Sequence, residues 1–311
     1  MDISTPDYNV SKLTLLLRNK FFHSLKYLSE VLNEEHNSYF ENDNNHSYSW
    51  IHYYYYNRCI SSLRSGNIDE ARFCFRKIDA NVDRKLKIKF RAYNRELSSD
   101  EYNAIKEWIE ISEEGKVRIS ELKKQNDCDD AIGKVQSAID LIEKYLPEFY
   151  DEYSHLCDEI ILIGRNGSNF LESGSSFELY GLNLICYRNN KTVLSFLESI
   201  IHEVGHLALF AFSTEYELVL NSKDEKYLGP FRTSLRTMGG NYHAMFVLCR
   251  ILSAFDKISA VLGESEELTS RRNLLFKRWE YISHLIEEKA LLSSESKELF
   301  KSCKKVVSRT I

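Results

Sequence analysis

Prolines are scarce in this 311-residue chain, three in all, and glycines number twelve. So few leave little material for long unstructured linkers and little to interrupt helices. Basic excess is missing too. Lys and Arg total 41 against 46 Asp and Glu, a formal charge of −5. No surplus of positive charge exists to displace phosphate counterions, so nucleic acid is not an expected partner. Cys-x-x-Cys spacing is absent, and the seven cysteines (Cys59, Cys74, Cys128, Cys157, Cys186, Cys249, Cys303) are scattered and odd in number. They are expected as reduced core residues, not as a disulfide frame or thiolate metal site. The first dozen residues carry no apolar core of a signal peptide, and no apolar run reads as a bilayer span. Together these absences predict a cytoplasmic protein with no membrane partner.

What is present is a hydrophobic fraction of 43% and enough length for one or two cores. Helical periodicity dominates the first half. Ser98 and Glu101 have capping-box spacing ahead of a stripe of Tyr102, Ile105, Trp108 and Ile109. Val135, Ile139, Ile142 and Leu146 form a second stripe, which Pro147 punctuates. The tyrosine run 53–56 would suit an aromatic peptide-binding surface, although a packed helical core is the commoner explanation. Near residue 159 the texture changes: 159–164 (EIILIG) and 177–187 (FELYGLNLICY) are strand-like, with glycines and serines marking turns between them. After His243 the chain reads as helical to its end. The expected fold is mainly α with a small antiparallel β-sheet beside the metal-binding helix, and not a cupin-type barrel. A helical lobe over residues 1–155 would support a catalytic half over 156–311.

The most informative feature is His202-Glu203-Val204-Gly205-His206. Positions i and i+4 of a helix lie about 40° apart in azimuth, so both imidazoles leave one face. Two imidazoles so placed can hold one divalent metal, with Glu203 beside them as base or orienting partner. The flanking Leu197, Ile200, Ile201, Leu207, Leu209 and Phe210 fit a buried helix lining a site. Composition would produce HExxH by chance in roughly two such sequences in a hundred, so the functional reading is preferred to two unligated core histidines.

A metal site normally needs a third protein ligand. The extended zinc-peptidase pattern is excluded, because Leu209 and Phe212 stand where it needs glycine and histidine; a downstream NExxxE is also absent. The only later histidines are His243 and His284. His243 follows two glycines at the head of an apolar helical stretch that could pack on the motif helix, whereas His284 sits near Glu287 and Glu288 on a polar one. His243 is therefore the preferred ligand. Between motif and third histidine, Arg232 and Arg236 stand four residues apart after Pro230. Held near a metal, such guanidiniums can bind carboxylates through bidentate, charge-assisted hydrogen bonds; the alternative is a solvated basic loop.

The ordered stretches SGSSFELYGLNLI, SIIHEVGHLAL and YLGPFRTSLRTMGGNYHAMF resemble the HExxH peptide-modification proteins, the iron- and 2-oxoglutarate-dependent peptide β-hydroxylases. The resemblance spans about residues 160–255. It implies hydroxylation of a side-chain β-carbon in a ribosomally made precursor peptide. It also implies Fe(II) on His202, His206 and His243, dioxygen and 2-oxoglutarate as co-substrates, and Arg232 or Arg236 on a carboxylate. This chain departs from the family in Phe231, where tryptophan is common, and in Leu235 and Thr237, where proline often occurs.

The chemistry is compatible with that resemblance. Three facial ligands on six-coordinate iron leave two positions for 2-oxoglutarate and one for dioxygen. No histidine here is followed at +2 by Asp or Glu, so the usual barrel-borne ligand pair is absent. Two alternatives stand beside it. A zinc metallopeptidase would need only Zn(II), a bound water and Glu203 as general base, and would leave the arginines without a necessary task. A non-catalytic peptide-binding module would use the same region without chemistry.

Overall fold

In a computed structural model that describes residues 9–34, 48–80, 89–94, 96–112, 117–230 and 235–309, long apolar-striped segments wind into ten helices and seven short strands. The first part holds α1 (Val10–Leu32), α2 (Trp50–Arg64), α3 (Ile68–Ala80), β1 (Lys89–Ala92), α4 (Ser99–Ser112) and β2 (Ile119–Ser120). Next come α5 (Gln125–Tyr145), α6 (Pro147–Leu156), β3 (Glu159–Arg165), β4 (Ser173–Gly174) and β5 (Leu182–Tyr187). The remainder is α7 (Val193–Ser213), β6 (Lys226–Leu228), β7 (Leu235–Thr237), α8 (Met238–Leu262), α9 (Glu266–Lys289) and α10 (Ser294–Val307). The mainly helical expectation holds, with a small sheet and, among the described residues, no closed barrel.

Local chemistry sets the boundaries. Ser98 and Glu101 form the capping box before α4: the Ser98 N–H donates to the Glu101 carboxylate at 2.8 Å and the Glu101 N–H to Ser98 Oγ at 3.3 Å. Pro147 occupies the first position of α6, where its missing N–H leaves no bond unmade. Val135, Ile139, Ile142 and Leu146 are all buried, and so are Tyr53, Tyr54 and Tyr55, which makes the tyrosine run chiefly a core feature. All seven cysteines are buried and free.

The chain divides into two units whose segments alternate along the sequence. One comprises residues 11–133 and 154–191; the other comprises 1–10, 134–153 and 192–311. Pairing explains the interleaving. In the first unit β3 joins β1, and Glu159 of β3 accepts hydrogen bonds from Trp50 Nε1 at 2.7 Å and from Arg91, whose guanidinium also binds Glu101. In the second, Glu148 and Glu152 of α6 pair with Lys257 and Arg250 of α8.

The sheet corrects the antiparallel expectation. Its strand order is β1-β3-β5-β4, and the central β1–β3 and β3–β5 ladders are parallel; only the short β2 and β4 pair antiparallel. All six β5 residues and the first six of β3 are buried, as in parallel strands covered on both faces. The unit that carries the motif has its own two-stranded antiparallel sheet, β6–β7, against α8.

Helix α7 corrects one further expectation: it is long and apolar enough to meet a length-and-composition test for crossing a membrane. Two-thirds of its apolar stretch, 67%, is buried within the protein, as in a core helix.

Candidate functional site

Thr192 caps α7 by accepting from the Ser195 N–H at 3.1 Å, and the helix then runs 21 residues with Leu197, Ile200, Ile201, Leu207 and Leu209 in the core. One turn apart on it, His202 and His206 have ring centroids 4.9 Å apart and Nε2 atoms 3.1 Å apart. Two nitrogens that bind one divalent ion at about 2.0–2.1 Å stand roughly 3.0–3.4 Å from each other. That separation suits an ion held between the Nε2 atoms and equally an N–H···N hydrogen bond between the two rings.

His243 arrives from α8, whose start is fixed by Thr237 Oγ1 accepting from the Gly240 N–H at 3.2 Å. Its Nδ1 lies 3.2 Å from Nδ1 of His206, with the two rings nearly parallel at 27°. Phe210, one turn beyond His206, packs its ring 5.2 Å from that of His243. The structure thus brings all three predicted imidazoles together, but His206 meets its neighbours through different ring nitrogens. As arranged, no group of three or more His, Cys, Asp or Glu side chains among the described residues could hold an ion. His243 joins the His202–His206 pair at one ion only if its ring or that of His206 turns. His284 is elsewhere: 70% exposed, it pairs with Glu288 at 3.1 Å.

Burial sets the charge state. It holds His206 well below the usual imidazole range, helped by His202, His243 and the Arg236 guanidinium. Burial followed by Arg236 pushes His243 down to about 4. Both rings are therefore neutral at pH 7 and offer lone pairs, as ligation requires. Glu203 is 2% exposed, and its Oε1 lies 4.0 Å from His202 Nε2, the nitrogen that faces His206.

Arg236 stands on β7 opposite Tyr227. A Cβ on Gly229 would come within 3.1 Å of Arg236 Cδ and 3.2 Å of Asn241 Oδ1, so a glycine lets β6, β7 and α8 close up here. Arg232 lies outside the described residues.

Three contributors escaped the sequence reading. Arg250 is fully buried and makes a fork-on-fork pair with Glu152 of α6. Asn241, also fully buried, has neither amide atom hydrogen-bonded. Gly205 sits where α7 meets α8. An arginine inside the apolar run 246–255 was the available signal, since a buried cation needs a buried anion; nothing in the sequence pointed to Glu152 as that anion. An open cleft of about 490 Å³ at the far end of α7, lined by Phe212, Tyr216, Leu299 and charged residues of α10, contains none of the candidate site residues. No protein-family model matches the chain, and no curated protein matches it significantly.

Proposed function

We propose that the chain is an iron(II)- and 2-oxoglutarate-dependent hydroxylase that acts at a side-chain β-carbon of a ribosomally made precursor peptide in the cytoplasm. One observation carries this reading: His206 lies within 3.2 Å of both His202 and His243, which come from two different helices and would share one ion once a ring turns. Neutral imidazoles are a donor set suited to a divalent transition metal, and His202, His206 and His243 would hold it. Bound iron with 2-oxoglutarate would supply the oxidising power to insert one atom of dioxygen into a C–H bond, leaving succinate and carbon dioxide. The ordered resemblance across residues 160–255 supports oxidation over hydrolysis.

The remaining tasks belong to the chain. Arg236, close enough to depress both histidines, is suited to a co-substrate carboxylate, and Arg232 is assigned the same task from sequence alone. Phe210 packs its ring against that of His243. Glu203, buried 4.0 Å from His202 Nε2, is assigned a proton-relay role.

That same Glu203 contact favours a second reading, a zinc metallopeptidase in which Glu203 is the general base. Mass spectrometry of precursor peptides incubated with Fe(II) or Zn(II), with and without 2-oxoglutarate, separates the two. The hydroxylase leaves the peptide uncut and one oxygen heavier, consuming oxygen and forming succinate. Cleavage by the zinc form without 2-oxoglutarate, with no oxygen inserted by the iron form, would replace the first reading by the second. Binding without either reaction would leave the non-catalytic module.

A further inference from the structure

Helix α8 carries His243, Phe246, Val247 and Arg250 at spacings of three, four and seven residues, so they share one face. That face packs on α7 beside His206. A Cβ on Gly205 would meet Val247 Cγ1 at 3.1 Å and Arg250 Cδ and Nε at 3.3 Å, tighter than ordinary contact. A side chain at 205 would require Val247 or the arginine stem to give by a few tenths of an ångström.

The arginine itself is held on its other sides. Its Nη1 and Nη2 donate to the two carboxylate oxygens of Glu152, the Nη1 bond measuring 3.0 Å. Its guanidinium carbon lies 4.8 Å from the ring centre of Phe149 and 5.5 Å from that of Phe246. Lys257, seven residues further along α8, pairs with Glu148 of α6. A planar fork clamped by a carboxylate and flanked by two aromatic rings has little freedom to shift.

We infer that the Arg250–Glu152 pair, with Gly205, is a positioning device that fixes the spacing of α7 and α8 and thereby brings His206 to His243. Neither residue of the pair touches the reacting groups; they act through the helices. The inference deepens the metal-centre reading and rests on it for its purpose, but the spacing itself is measurable without metal.

The experiment uses the full chain as wild type, Gly205→Ala and Glu152→Asp, each checked for folding by circular dichroism. Histidine ring ¹⁵N–¹H spectra are recorded without metal, and Co²⁺ titrations are followed by absorbance. Gly205→Ala adds one methyl group at the helix contact, and Glu152→Asp shortens the clamp without removing its charge. Both variants are expected to shift the His206 and His243 ring resonances while leaving exposed His284 unmoved, and to weaken Co²⁺ binding at least tenfold. Folded variants that melt lower but keep wild-type ring shifts would overturn the positioning role, because a merely structural pair would do just that. Should wild type bind no Co²⁺, the metal reading falls, and the ring shifts alone still decide the spacing claim.

Discussion

Arg236 has two effects that reinforce each other. As a cation near half-buried imidazoles it disfavours their protonation, which keeps His206 and His243 neutral. On the proposed reading the same guanidinium, on a short strand with its backbone paired to Tyr227, would bind the co-substrate carboxylate. A lost charge-assisted bond costs roughly 1.5–3 kcal/mol, or about ten- to a hundredfold in affinity. Arg236→Ala is therefore expected to weaken 2-oxoglutarate binding to that extent in calorimetry on the metal-loaded protein. Unchanged affinity would move the carboxylate anchor elsewhere, with Arg232 the next residue to test.

Among the elements, the helices were more legible than the sheet. The capping pair Ser98–Glu101 and the stripe from Val135 to Leu146 depend on neighbours within a few residues, and both stand as read. Strand direction depends on partners far along the chain. The apolar runs 160–163 and 184–187 already carried the signature of strands covered on both faces, which favours parallel pairing over antiparallel. The proximity of His202, His206 and His243 was legible because HExxH sets its own spacing and only one later histidine sits on an apolar helix. The Glu152–Arg250 clamp was not, since its partners are 98 residues apart. One tight junction in the sheet gives a test. Gly181, just before β5, has a φ of +99°, and a Cβ there would stand 2.0 Å from Asp158 Oδ2. Gly181→Ala combines left-handed backbone strain with a clash and is expected to destabilise the chain by at least about 2 kcal/mol in urea unfolding. A loss below half that figure would show that the Asp158 side chain yields freely.

At the scale of the molecule, the two units carry titrating groups of opposite sign. In the unit with the HExxH helix, His206 and His243 take up protons less readily when folded than when unfolded. Acid therefore favours the unfolded chain, and stability contributed by neutral His243 is lost as pH falls from the ordinary imidazole value of 6.5 through about 4. In the other unit, burial pushes Asp158 up to about 7, from an ordinary 3.8. The unfolded chain ionises first, so this contribution is present at low pH and is lost as pH rises from about 4 through 7. Urea midpoints measured across pH 4–8 without metal are expected to fall less on the acid side in His243→Gln and less towards neutrality in Asp158→Asn. Parallel profiles for both variants and wild type would contradict these assignments.

The central claim, that three histidines from α7 and α8 hold one divalent metal, is tested most directly by metal stoichiometry after anaerobic Fe(II) loading of wild type and single alanine variants. The account predicts one ion per chain in wild type and in His284→Ala, and none in His202→Ala, His206→Ala or His243→Ala with their circular dichroism unchanged. Full occupancy in His243→Ala, or loss of the ion in His284→Ala, would contradict it.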